Sequence, residues 1–320
     1  MTHTIYYHAD DYGVCAAQSE AILSCHTNGC LNSISIFANS PYTEKAFSLT
    51  AHTSNAAVTA HTAMTANAVI APSTPTLRMV AHLNLIEGHS AAPAALVPLL
   101  TDENGMLRCS FGYLLKANFS APRRRRAFHA QLKTEIAAQL AVVSELTKSR
   151  HICVDSHQHF HMIPLVFHAL CEVIDENHYI LDSLRIPTDP IRPILTTPRL
   201  LCKVKPVNLI KYGILRALSW RILAKAKRIC QDIPVFFGIF FTCRMEYDAV
   251  APLLKKYDAI ARRQHRNLEL MFHPGGVEDA NDLLDPSNKE LAAFYRDPYR
   301  KKEADALIRL AQAPSQSNAQ

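Results

Sequence analysis

Short apolar runs alternate with longer amphipathic stretches along the chain. Residues 3–9, with Ile5-Tyr6-Tyr7, predict a first strand. Ala16–Asn28 predicts a helix with apolar Ala17, Ile22 and Leu23 and a stop at Gly29. Ser33-Ile34-Ser35-Ile36-Phe37 alternates with period two, as a strand does. A helix over Tyr42–Thr50, an irregular Ala-, Thr-, Ser- and Pro-rich loop over 51–78 and a strand over Val80–Leu85 follow. Arg123–Thr147 sets Phe128, Leu132, Ile136, Leu140 and Val143 on one face of a long helix. Beyond it the pattern predicts a strand at Ile152–Asp155, a helix at Leu165–Asn177 and a short strand at Leu184–Ile186. A strand at Pro234–Phe241, a helix at Tyr247–Gln264 and a strand at Leu268–Phe272 complete it. Residues 311–320 read as a flexible tail.

Strand and helix in alternation predict an α/β protein, a parallel sheet or barrel. No internal repeat or linker divides it, so residues 1–310 read as one domain, with a basic amphipathic insertion at about 190–231. The polar candidates fall at predicted strand ends: Asp10 and Asp11, His82, Asp155 to His161, Arg185 and His273. In α/β folds that end of the sheet is where chemistry is assembled.

Composition narrows the reading by exclusion. The chain has 320 residues and a net charge of +6, too small an excess to imply a nucleic-acid partner. Its nine cysteines are scattered without a Cys-x-x-Cys pair, which predicts reduced thiols and a cytoplasmic protein. The N-terminus lacks a basic region followed by a long apolar core, so no signal peptide is expected.

Two adjacent carboxylates need a cation nearby to be tolerable. The candidates to share one are His82 and the run Asp155-Ser156-His157-Gln158-His159-Phe160-His161. On an extended backbone His157, His159 and His161 would share a face, although a metal rarely takes three ligands from one strand. One or two of them with Asp11 and His82 make a two-histidine, one-carboxylate set that leaves positions open for water and substrate. The second carboxylate is then free to act as a base, and His273, before Pro274-Gly275-Gly276, can protonate a leaving amine. The bland alternatives are buried histidines bonded to backbone, and an Asp pair that merely caps a turn.

The patterns Ala-Asp-Asp-Tyr-Gly at 9–13, His-Leu-Asn-Leu-Ile-Glu-Gly at 82–88, Asp-Ser-His-Gln-His-Phe-His-Met at 155–162 and Leu-Met-Phe-His-Pro-Gly at 270–275 occur in that order. Together they resemble the YdjC-like carbohydrate deacetylases, the ChbG/HpnK group, with weaker matches at Thr101–Gly105 and Leu184–Pro187. The resemblance implies an irregular (β/α) barrel of the glycoside hydrolase/deacetylase type. It implies a hydrolase that removes an N-acetyl group from an amino sugar with one divalent metal ion, magnesium or zinc. It carries metal binding to Asp11, His82 and His157, the general base to Asp10 and the acid to His273. Asn84, His159 and Arg185 become substrate-binding candidates, with orientation of the base as the alternative role for Arg185. The sequence departs from the family at His8, where Asn is usual, and at Ala81, where Gly is usual. The gap from the Asp pair to His82 is also longer than usual, which makes His61 the competing ligand; loops tolerate such insertions.

Between Asp189 and Asp232 there is no acidic residue, while cations recur and the only tryptophan, Trp220, lies there. A basic amphipathic helix with Trp suits an anionic membrane surface, here through residues 199–230. The alternative is a helix packed on the barrel with a solvated basic face. The membrane reading favours a lipid-linked sugar, a polyprenyl-phosphate sugar or glycosylated hopanoid, over soluble chitooligosaccharides. It also adds peripheral attachment at the inner face of the cytoplasmic membrane. A metallophosphoesterase and a non-catalytic metal- or lipid-binding protein are the more distant readings, and a homodimer is compatible with all of them.

Overall fold

The computed structural model describes residues 3–51 and 77–313. Eight strands carry the fold: β1 (Ile5–Tyr12), β2 (Ser33–Phe37), β3 (Arg78–Leu83), β4 (His151–Ser156), β5 (Ile180–Leu184), β6 (Cys230–Asp232), β7 (Val235–Phe237) and β8 (Leu268–Phe272). They lie in the order β6-β5-β4-β3-β2-β1-β8-β7. Every pairing between them is parallel. Spatial neighbours are therefore neighbours in cyclic chain order, the arrangement of an α/β barrel, with β6 and β7 as its two edges. Only Ile233 and Pro234 separate those edge strands.

The helices sit where the periodicity placed them. Pro122–Thr147, Pro164–Glu176 and Tyr247–Arg263 match the predicted stretches to within a residue or so. Phe128, Leu132, Ile136 and Leu140 are buried along one side of the first of these. Proline opens both Pro122–Thr147 and Pro164–Glu176, where its missing N–H costs nothing. The pattern did not foresee the helices Phe111–Asn118, Lys289–Tyr295 and Tyr299–Gln312.

Several boundaries differ from expectation for physical reasons. β5 spans Ile180–Leu184 rather than Leu184–Ile186, so Arg185 stands just past its end. The strand expected over Pro234–Phe241 stops at Phe237, because the Asp189 carboxylate accepts the backbone N–H groups of Gly238, Ile239 and Phe240. The final helix runs to Gln312, so residues 311 and 312 are helical and not tail. Residues 43–51 are helical. The loop expected over 51–78, and His61 within it, fall almost entirely outside the described residues, as does 314–320.

Candidate active site

Adjacent residues of a strand point to opposite faces, so Asp10 and Asp11 cannot both enter one site from a regular β1. The pairing of β1 with β2 slips between Ala9 and Tyr12, and Asp11 adopts φ 67°. That left-handed residue in a bulge re-aims the second carboxylate, and both end up buried on the site side. His82 lies near the end of β3, Asp155 near the end of β4, Arg185 after β5 and His273 after β8. All project from the carboxyl ends of the strands.

Asp11 Oδ1 lies 3.2 Å from His157 Nδ1 and 3.8 Å from His82 Nε2. Asp11 Oδ1 and His82 Nε2 are buried and have no hydrogen-bond partner among the described residues. Burial alone would raise the pKa of Asp11. The close His157 ring and the Arg300 guanidinium, 2.8 Å from Oδ2, outweigh it and hold the carboxyl well below the usual range. Behind His82, its Nδ1 sits 2.6 Å from Asp155 Oδ1. Burial and then the Arg185 and His82 charges act on Asp155, and its pKa is lowered to about 2. An ionised carboxylate only accepts, so the neutral His82 ring carries its proton on Nδ1 and turns the Nε2 lone pair toward Asp11. Glu87 Oε1 stands 3.5 Å from His157 Nε2 and accepts the Tyr295 hydroxyl at 2.5 Å. Asp11, His82 and His157 can hold a metal ion: three ligand atoms converge, two of them are orphaned, and carboxylates back both rings.

A second buried group, His8, Asp10 and Asp155, also brings three ligand atoms together. There the cation is part of the protein. Arg185 forks onto both oxygens of Asp10 at 2.8 and 2.9 Å, reaches Asp155 Oδ2 at 2.8 Å, and donates from Nε to Glu269 Oε1 at 2.6 Å. Burial would raise the pKa of Asp10; Arg185 and the His8 hydrogen bond reverse that and hold it well below the usual range. His8 is bonded through Nδ1 to Ser33 Oγ at 2.7 Å and through Nε2 to Ser35 Oγ at 2.6 Å. Ser35 in turn donates to Asp155. His8 thus braces this charge network.

The pocket over these groups is lined by Asp10, His157, His159, His273, Lys211 and Phe294 among others. His273 Nε2 is 3.8 Å from Asp10 Oδ2. Burial pushes His273 down to about 4 against the opposing pull of Asp10 and Asp11, so it is neutral near pH 7. Its backbone N–H donates to Glu303 at 2.5 Å. After it, Gly275 has φ 109°, and a Cβ there would meet Gln18 Oε1 at 2.6 Å, which accounts for the glycine.

The histidine run departs from the extended geometry expected of it. His157–Met162 forms a 3-10 turn in which Gln158 and His159 have φ of 51° and 60°. The three rings therefore do not share a face. His157 reaches Asp11, and His159 turns into the pocket with Nδ1 unpartnered among the described residues. His161 is structural, bonded to Ser156 Oγ at 2.6 Å and the Arg185 carbonyl at 2.7 Å.

Two of the expected substrate contacts are already engaged within the protein. Asn84, expected at the substrate, spends its amide on the loop: Nδ2 donates to Asn39 Oδ1 and the Glu87 carbonyl, and Oδ1 accepts from Ile86 N–H. Arg185 is engaged by three carboxylates, which favours one of its two expected roles, orienting Asp10, over contact with a ligand. The sequence reading missed Arg300, Glu303, Glu269 and Lys211. Lys211, expected on a membrane-facing surface, instead lines the pocket. Of these only Lys211 had a usable signal, its place three residues after the buried Asn208 and four before the buried Leu215 on one helix.

A family model for YdjC-like protein matches residues 4–311. A solved structure from Enterococcus faecalis, described as a "putative cellobiose-phosphate cleavage protein", is similar with a TM-score of 0.62 and 16% identity over 98% of this chain and 94% of that one. At that identity the likeness shows the fold. No curated protein matches. With the family model spanning nearly the whole chain, this protein belongs to the YdjC-like family.

Proposed function

We propose that the protein is a metal-dependent hydrolase that removes an N-acetyl group from an amino sugar, with lipid-linked sugars as the substrate class. The observation that carries this reading is the convergence of Asp11 Oδ1 and His82 Nε2, buried and unpartnered among the described residues, on the His157 ring beside an ionised Asp10. A divalent cation held by Asp11, His82 and His157 supplies a Lewis acid for an amide carbonyl and makes water a better nucleophile near neutral pH.

The chain's own residues do the rest. Asp10 is ionised at any working pH, and Arg185 fixes its orientation through two hydrogen bonds. Its Oδ2, the oxygen nearest His273 Nε2, is placed to take the proton from water. His273, neutral in the free pocket, gains basicity as negative charge develops beside it, takes over the proton that Asp10 Oδ2 removed from water, and passes it to the departing amine. Phe294 and His159 wall the pocket.

The test is acetate release by purified protein, stripped with a chelator and reloaded with magnesium or zinc. It is offered N-acetylated sugars both free and attached to a polyprenyl phosphate or hopanoid. The reading expects release that depends on added metal and favours the lipid-linked forms. Preference for free chitooligosaccharides would move the substrate to the soluble class. Phosphate release from a sugar-phosphate panel without acetate would replace the deacetylase by a phosphoesterase.

A further inference from the structure

The helix Pro206–Ile229 is apolar on two sides. Leu215, Leu218, Ile222 and Ala226 are buried against the barrel. On the opposite side Ile210, Gly213, Ala217, Trp220 and Ala224 recur at spacings of three and four, and all are exposed. Trp220 is 71% exposed and Ile210 64%. Ile191, Leu195, Leu201, Val207, Leu209 and Ile214 are also exposed, so among the described residues most of the large apolar side chains that meet solvent lie in this one segment. A concentration of that kind marks a docking surface rather than scattered surface residues.

Charge says what docks. Arg216 and Arg221 flank the outward stripe, with Arg199 and Lys203 before it, all exposed and none in a salt bridge among the described residues. Arg221 also shares a groove with Arg125, Arg126 and the exposed Phe119, which joins the Arg123–Arg126 run to the same surface. No acidic residue occurs between Asp189 and Asp232. A two-fold contact between copies of this chain would press these cationic rims together, which disfavours self-association. Among the described residues no helix is long and apolar enough to cross a membrane. We infer that this stripe, anchored by Trp220 and Ile210 and rimmed by Arg216 and Arg221, docks the protein in-plane on an anionic lipid bilayer. The same helix carries Lys211 into the pocket, so docking holds the active site within about one helix diameter, ~10 Å, of the lipid.

This deepens the lipid-linked reading of the substrate, but its test needs no turnover, so the two fail separately. The full chain is floated with vesicles of phosphatidylcholine alone and with phosphatidylglycerol added, at low and high salt. Wild type is expected to float with the anionic vesicles only, and less so in salt. Arg216→Gln with Arg221→Gln should weaken partitioning about 30-fold at low salt, and Ile210→Ser with Trp220→Ser about tenfold or more. All four side chains are exposed, and circular dichroism checks that the fold is kept. Wild type left unbound by anionic vesicles, equal binding to both vesicle types, or variants that float like wild type would overturn the inference. So would a dimer that dissociates in Trp220→Ser, which would show that a second copy covers the stripe.

Discussion

Asp155→Asn isolates the support behind the proposed metal ligand without touching a ligand. The carboxylate holds His82 through a 2.6 Å contact to Nδ1, keeping the Nε2 lone pair toward Asp11. Asparagine preserves the shape and can still accept from Arg185, but its amide no longer dictates the imidazole tautomer. Losing such an outer partner costs about 10- to 100-fold in cation affinity, roughly 1.4–2.7 kcal/mol. The pH dependence adds a second, independent signature. Burial opposes the charged form of His82, yet Asp155 outweighs it and raises the His82 pKa. A proton on Nε2 competes with the cation, so wild-type affinity falls as pH drops through that raised value. The variant's His82 is less basic and suffers less competition. The ratio of wild-type to variant affinity should therefore be largest near pH 8 and narrow toward pH 6. Competition against a chromogenic chelator across that range measures it, with circular dichroism as the check on folding. Equal affinities at pH 8, or a ratio that widens as pH falls, would refute the assigned geometry.

Other substitutions separate the remaining roles. Asp11→Ala should lose the cation, whereas Asp10→Ala should keep it and lose about 10²- to 10⁴-fold in turnover, read by calorimetry and acetate release; metal loss in Asp10→Ala would invert the assignment. Asn84→Ala should cost about 1–3 kcal/mol in urea unfolding while leaving KM unchanged, because its amide braces the loop. Asp189 is pushed up to about 7 by burial, against the pull of three backbone N–H groups. Its folded pKa lies above the unfolded one, so its stabilising protonation is complete below about pH 4 and is lost as pH rises through 7. Over that window wild type should lose up to about 4 kcal/mol that Asp189→Asn does not, measured as urea midpoints against pH; parallel curves would show the opposite.

The barrel order and most strand ends were legible because βα alternation and terminal polar residues are local signals. The convergence of Asp11, His82 and His157 was legible too, because the motifs around them are distinctive. What stayed hidden depends on contacts remote in sequence. Glu269 sits in Leu268-Glu269-Leu270-Met271-Phe272, where period two reads it as an outward polar residue, but it points inward to Arg78 and Arg185. Arg300 belongs to a helix whose sequence resembles any solvated one, and only folding brings it to Asp11, 289 positions away. The histidine run misled for a different reason. Alternation implies a shared face only on an extended backbone, and two left-handed residues at Gln158 and His159 remove that condition. Lys211 was misassigned because one helix carries both a pocket side and an outward side, and a charge count along the sequence does not separate them.

The neighbouring aspartates differ in what faces their oxygens, and this decides which one is free to take up an ion. Both oxygens of Asp10 are taken by the guanidinium of Arg185, a cation that is permanently charged and bound into Asp155 and Glu269 as well. A second cation at Asp10 would have to displace part of a buried bidentate pair, and breaking such a pair costs about 3–5 kcal/mol. Asp11 gives only Oδ2 to Arg300 and leaves Oδ1 toward two imidazoles. The cost of burying Asp10 is thus offset within the fold, whereas Asp11 keeps an oxygen for an exchangeable ion. The single left-handed residue at position 11 creates this division, since a regular strand would send the two carboxylates to opposite faces. A chain that lost the bulge but kept both aspartates would retain every residue of the motif and lose the site.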